Sequence, residues 1–143
     1  MIKLLPGQIS NQWNFIRAGL LVSLPPITVP TAENLRTILV QMLCEHMQCW
    51  AVLGEDKEVK GYVLTYISKD PHTNARTLII YSLCLNEMVS KETWETGFIT
   101  LDKFAKSNEC FRIAAYTNIP EVISVAKKFN FSSDYTYLIK DVI

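Results

Sequence analysis

Two short stretches hold residue types that could do chemistry. In "CEHMQC", Cys44, His46 and Cys49 are soft donors of the kind zinc takes. In "NEMVSKETWE", residues 86–95, a polar loop runs into an amphipathic helix. The unpaired amides and dipole at such a junction favour phosphate. Each stretch also has a plainer reading. The metal set lies in a strongly periodic segment expected to be helical, which would turn Cys44 and His46 about 200° apart. No paired Cys spacing occurs elsewhere, so small buried thiols are expected and no metal site.

The phosphate reading meets two obstacles. The loop has no glycine before Gly97, and glycine is what lets a backbone approach a phosphate closely. Glu87, Glu92 and Glu95 surround the single Lys91, and their carboxylates repel an anion. Ser90 as a helix cap and Glu92 as a complement to the dipole make a structural account of the same residues. Cys84 has no His or Asp motif to activate it and is expected to be a core thiol.

The elements that would position these residues follow from period and punctuation. "MIKLLP" starts a short strand that Pro6–Gly7 is expected to end. "SNQWNFIRAGLLVSL" reads as a helix with Trp13, Ile16 and Leu20 on one face, closed by Pro25–Pro26. A second helix starts at Thr31. Its stripe is Leu35, Ile38, Leu39, Met42, Leu43 and Met47. "CWAVLG", "VKGYVLTYIS" and "ARTLIIYSLCL" form an antiparallel meander, since their connections are too short for crossovers. The last of these is apolar on both faces and is expected inside the sheet. A helix follows, with Trp94, Phe98, Leu101, Phe104 and Ala105 buried, then the strand "FRIAAYT". Asn118 and Pro120 are expected to open the helix "PEVISVAKKF", and "SDYTYLIKDVI" to close the sheet as a last strand. The order is β-α-α-β-β-β-α-β-α-β, an α/β (α+β mixed) sheet with one parallel β-α-β step. One domain spans residues 1–143.

Composition limits the setting. Of 143 residues, 49% are hydrophobic and 20% charged, with a net charge of zero. Nothing basic enough to displace counterions from nucleic acid is present, so no nucleic-acid partner is expected. The apolar run "AGLLVSLPPI" is too short to span a bilayer, and no signal peptide is read at "MIKLLPGQ". A soluble, cytoplasmic protein with reduced thiols is expected.

The order of elements resembles the GCN5-related N-acetyltransferase (GNAT) superfamily over nearly the whole chain. "TNIPEVISVAKKFNF" is similar to that family's "N…A…Y-x-K-x-G-F" helix and turn. Asn118 matches the asparagine after the fifth strand, and Phe131 the phenylalanine after the turn. Asn130 stands at the family's glycine, where a left-handed residue is needed and asparagine is the next-best choice. The resemblance implies acetyl-coenzyme A as cofactor. Backbone groups of Leu83, Cys84 and Leu85 would face the pantetheine arm. The helix start at Ser90, Lys91 and Glu92, with Asn118, would complete the binding set.

Three departures bear on activity. The family's glycine-rich cofactor loop becomes "NEMVSKETWE", with Thr93, Trp94 or Glu95 at glycine positions, where bulky side chains would fill the phosphate space. The tyrosine that protonates the leaving thiolate falls at Ala126. The central strands hold no glutamate for the base, so the only near candidate is Glu87. Tyr116 and Tyr81 could substitute as acids. No catalytic residue is assigned beyond the candidates Glu87 and Tyr116. The expectation is a GNAT fold with a lost or altered cofactor site and no acetyl-coenzyme A. It would act as a binding or assembly module for an unidentified protein partner, of the kind a virus or phage uses as an accessory or structural protein. The segment "AGLLVSLPPITVP" is its first candidate surface. The alternative is a divergent acetyl-coenzyme A-dependent N-acyltransferase acting on an amine. Oligomerisation fits either.

Overall fold

The structure is a computed structural model, described for residues 1–25 and 27–142. The elements run β1 (Ile2–Lys3), α1 (Pro6–Ser23), α2 (Ala32–Leu43), β2 (Met47–Leu53), β3 (Val59–Lys69), β4 (Arg76–Leu85), α3 (Lys91–Ser107), β5 (Cys110–Ala115) and α4 (Pro120–Lys128). Five strands form one sheet in the order β1-β2-β3-β4-β5. The β1–β4 pairs are antiparallel, while β4 and β5 are parallel and joined by α3. This is the mixed α/β class expected, with β4 inside the sheet.

Each face of the sheet has its own core. Helices α1 and α2 bury Ile9, Ile16, Leu20, Leu35, Ile38 and Met42 against Cys49, Ala51 and Leu64. Helix α3 buries Leu101 and Ala105 against Trp50, Val52, Val63 and Leu78. Period-2 alternation along the strands sends neighbouring residues to opposite cores. Polar groups in these cores are paired: the Trp50 indole donates to Thr65 Oγ1 at 2.9 Å, and Thr65 donates to Gln48 Oε1 at 2.9 Å.

Four boundaries differ from expectation. Pro6 does not end β1 but opens α1 at its first turn, where its missing N–H costs nothing. Helix α2 stops at Leu43 because Glu45 takes a left-handed φ of 61°, so Met47 begins β2 instead of extending the helical stripe. Asn118 does not cap α4: Ile119 holds that position, and Thr117 Oγ1 accepts the Ile119 amide at 3.2 Å. The closing strand is not formed. Residues 132–142 make no ladder and are exposed throughout, although their sequence pattern alternates in part. Pro26 and Ile143, on which the closure of α1 and the end of that strand were expected to fall, lie outside the described residues.

Candidate functional site

The sheet forks between β4 and β5. Their ladder runs from Arg76↔Cys110 to Ile80↔Ala115 and goes no further. β4 continues to Leu85, so the edge of Tyr81–Leu85 has lost its β5 neighbour. A bulge marks the same place: Leu64 faces Ser82 and Thr65 faces Ile80, which leaves Tyr81 as the extra residue. Tyr81 and Tyr116 are therefore the first residues on either arm of the fork.

The backbone of Leu83, Cys84 and Leu85 lines one arm of the fork, while their side chains point elsewhere. Leu83 and Leu85 enter an apolar cavity of about 50 Å³ beneath α3, shared with Val63, Trp94, Gly97 and Phe98. Cys84 packs on α1, where a Cβ built on Gly19 would lie 3.1 Å from its Sγ. Burial raises the Cys84 thiol pKa, as befits a packed thiol. Ser82, nearly buried, meets Ser23 Oγ at 2.6 Å and ties α1 to β4 beside the fork.

Helix α3 begins at the mouth of the fork. Ser90 caps it, its Oγ accepting the Thr93 amide at 3.1 Å, as the sequence implied. The Trp94 amide donates to the Ser90 carbonyl at 3.1 Å. That leaves the first two helical amides, of Lys91 and Glu92, without an intrahelical acceptor. Trp94 does not fill the space in front of them. Its ring turns under the helix into the apolar cavity and stacks on Phe98 at 6.0 Å. Glu95 is half exposed and pairs with Lys91 at 3.6 Å.

Glu87 is exposed and paired with a lysine of β3. Its carboxylate holds Lys60 Nζ at 2.6 Å, and Lys60 also holds Asp56 at 2.9 Å. The hydrogen bonds to Glu87 and then Asp56 raise the Lys60 pKa. The Asn86 amide donates to the Lys60 carbonyl at 2.7 Å, so this pair anchors the β4–α3 loop to β3.

Tyrosines gather at the fork. Tyr81 Oη and Thr28 Oγ1 are 2.8 Å apart, which joins the α1–α2 connection to β4. Tyr81 meets Tyr66 edge-on at 5.9 Å, and Tyr116 meets Tyr137 at 5.3 Å. Burial raises the Tyr66 phenol pKa, with the phenols of Tyr116, Tyr81 and Tyr137 adding to it. Sequence reasoning missed Tyr66 and Tyr137. Alternation along β3 could have placed Tyr66 on the face of Leu64, whereas nothing local marks Tyr137.

The remaining candidates separate. Asn118 lines a groove beyond β5. Ala126 lines the same groove and offers no proton. Asn130 has a φ of 66°, the left-handed turn its position required. In the stretch that could have bound metal, Cys49 is fully buried with its thiol pushed up to about 12, and His46 Nδ1 lies 3.2 Å from Gln41 Oε1. Among the described residues, no three His, Cys, Asp or Glu side chains could hold a metal ion. No helix there is long and apolar enough to cross a membrane.

The chain has the GNAT fold. It superposes on the crystal structure of a "probable acetyltransferase" with a TM-score of 0.71 at 14% identity, covering 99% of this chain and 98% of that one. The ribosomal-protein-alanine N-acetyltransferase of Brucella melitensis gives 0.69 at 10% identity, covering 98% and 97%. An aminoglycoside acetyltransferase from an uncultured soil metagenomic sample, in complex with sisomicin, gives 0.69 at 13% identity, covering 99% and 94%. No protein-family model matches the chain, and no curated protein matches it.

Proposed function

We propose that the chain is an acyl-coenzyme A-dependent N-acyltransferase. The observation that carries this reading is the joint presence of the parted β4 edge and the two unclaimed amides at the start of α3. A strand edge without a neighbour can pair with the amide-bearing pantetheine arm through Leu83–Leu85. The amides of Lys91 and Glu92 can receive the pyrophosphate, with Lys91 as the local cation. When bound, the thioester supplies an activated acyl group at the fork.

The protein's own contribution is position. Tyr81 is anchored by Thr28, while Tyr116 carries a hydroxyl on the opposite arm and can donate a proton to the departing thiolate in place of Ala126. Glu87 stays engaged with Lys60, so the amine reacts as the fraction already neutral in solution, and proximity supplies most of the acceleration. Glu92 and Glu95 weaken anion binding without filling the site. The thiols are unpaired, which suits a reducing compartment such as the cytoplasm.

A non-catalytic binding module is the second reading. The anchoring of Glu87 and the exposed apolar residues of the α1–α2 segment, Val22, Ile27 and Val29, favour it. Calorimetric titration with acetyl-coenzyme A separates the two. Micromolar binding with thermal stabilisation is expected. Heat at the dilution baseline up to millimolar cofactor would leave the module reading standing.

A further inference from the structure

The face of the fork that carries Tyr81 is walled by aromatic rings. Tyr66 of β3 meets Tyr81 edge-on at 5.9 Å, and Tyr116, just past β5, meets Tyr137 of the tail at 5.3 Å. Thr28 Oγ1, 2.8 Å from Tyr81 Oη, brings the α1–α2 connection to the same place. Ile27 of that connection lines one space with Tyr116 and Tyr137. The titratable groups that act on the Tyr66 phenol are the other three tyrosines, with no carboxylate or cation among them. The Tyr81 hydroxyl is already paired with Thr28, so what this face offers a ligand is chiefly ring surface.

The segments that meet there hold no charge. Residues 18–32, 62–68, 77–85, 113–120 and 135–139 contain no Asp, Glu, Lys, Arg or His, in a chain that is 20% charged. Burial explains such blanks inside a core. It does not explain them here, where Ile27 is 48%, Tyr116 41% and Tyr137 60% exposed. The nearest charge along β5 is Arg112, roughly 13 Å before Tyr116 at the rise of an extended strand. Glu95, Asp102, Lys127 and Lys128 line the neighbouring groove from α3 and α4. An ammonium placed among the tyrosines would give up water with no carboxylate to pair with. Exposed ring faces attract a cation only weakly.

We propose that the acceptor is a weakly basic aromatic amine, neutral at pH 7, whose ring packs among Tyr66, Tyr116, Tyr137 and Ile27. The inference rests on the acyl-transfer reading and narrows its acceptor. A flat ring suits the edge-on and offset contacts that aromatic pairs take. Polyamines, amino sugars and lysine side chains would find none of the carboxylates that hold such cations. An arylamine also arrives unprotonated, so its attack needs no base. Its nitrogen bonds to the thioester carbonyl carbon and the carbon–sulfur bond breaks. Tyr116 gives its proton to the sulfur and recovers one from the nitrogen through water, so the products are an amide and a free thiol.

Saturation-transfer NMR with aniline, benzylamine and cyclohexylmethylamine tests the site without cofactor. Thiol release from acetyl-coenzyme A with the same amines and with spermidine tests turnover. Aniline should saturate most strongly and react with a kcat/KM roughly tenfold or more above the other three. Tyr137→Ser should lower both aniline readouts roughly threefold or more and leave acetyl-coenzyme A affinity in place. Preference for spermidine or cyclohexylmethylamine, or aniline saturation no stronger than that of the ammonium amines, overturns the inference. Calorimetry with acetyl-coenzyme A separates the two levels. Cofactor binding without aniline saturation sinks the acceptor assignment alone, whereas aniline saturation without cofactor binding supports the aromatic-amine site and sinks acyl transfer.

Discussion

The two flanks of the sheet are built differently. On the α1–α2 flank the helices drive fully buried residues such as Ile9, Ile16 and Leu20 into the strands, and Ser23–Ser82, Gln12–Tyr62 and Thr28–Tyr81 tie them down. On the other flank, β5 is exposed along much of its length and α4 buries none of its residues. There the contact between α3 and the α4 turn is a cluster of rings: Phe98 lies 4.5 Å from Phe129 and 5.4 Å from Phe131. One flank is closely packed, and the other leaves the fork between β4 and β5 and the groove beside β5 open. Sites that must open are drawn from the less stable part of a fold.

That contrast can be broken most directly by truncating one isoleucine on each flank, Ile16 buried in α1 and Ile123 half-buried in α4. Ile16→Ala should cost about 2–5 kcal/mol by urea unfolding, whereas Ile123→Ala in α4 should cost less than about 1 kcal/mol. Similar losses would erase the distinction. A glycine pair sharpens it next. A Cβ on Gly61 would meet the Cys84 carbonyl oxygen at 2.0 Å, while one on Gly97 meets nothing within 4 Å. Gly61→Ala should destabilise by about 1–3 kcal/mol as β3 and β4 are pushed apart at the fork. Gly97→Ala should stabilise by about 0.5–1 kcal/mol.

Smaller effects follow at the ligand side. Phe98→Ala removes ring contacts of about 0.5–1.5 kcal/mol, so amide exchange in α4 should accelerate while exchange in α1 stays unchanged. Glu92→Gln with Glu95→Gln removes repulsion at the α3 N-terminus and should tighten coenzyme A binding roughly threefold to tenfold, less so at high salt. The smallest effect is on pH. The amides of Thr73 and His72 hold the Asp70 carboxyl below its ordinary value. Its contribution is present above the unfolded carboxylate pKa and is lost as pH falls through the folded one. Asp70→Asn should flatten the acid limb of the stability curve and leave neutral pH little changed apart from the lost turn contacts.

Legibility followed the same division. The helical stripe of α2 from Leu35 to Met42, the apolar run that puts β4 inside the sheet and the Ser90 cap were all readable, because local pattern or one local hydrogen bond dictates each. The end of α2 at Glu45 was not, since glutamate is an unusual left-handed residue and the apolar period ran on through Met47. The last strand was read from real alternation, but a strand also needs an edge to pair with, which local sequence does not contain. Within the site, the Ser90 cap was foreseen. The turning of Trp94 beneath α3 was not, because it depends on the cavity left by Gly97 and Leu83. The engagement of Glu87 with Lys60 depends on loop geometry that spacing does not reveal.

The central claim is that the fork and the start of α3 together hold a coenzyme A thioester. Amide chemical-shift mapping during titration with coenzyme A tests it most directly. The account predicts saturable shifts concentrated at Lys91, Glu92, Leu83–Leu85 and Tyr116. Shifts that stay absent at millimolar ligand, or that gather away from these residues, would contradict it.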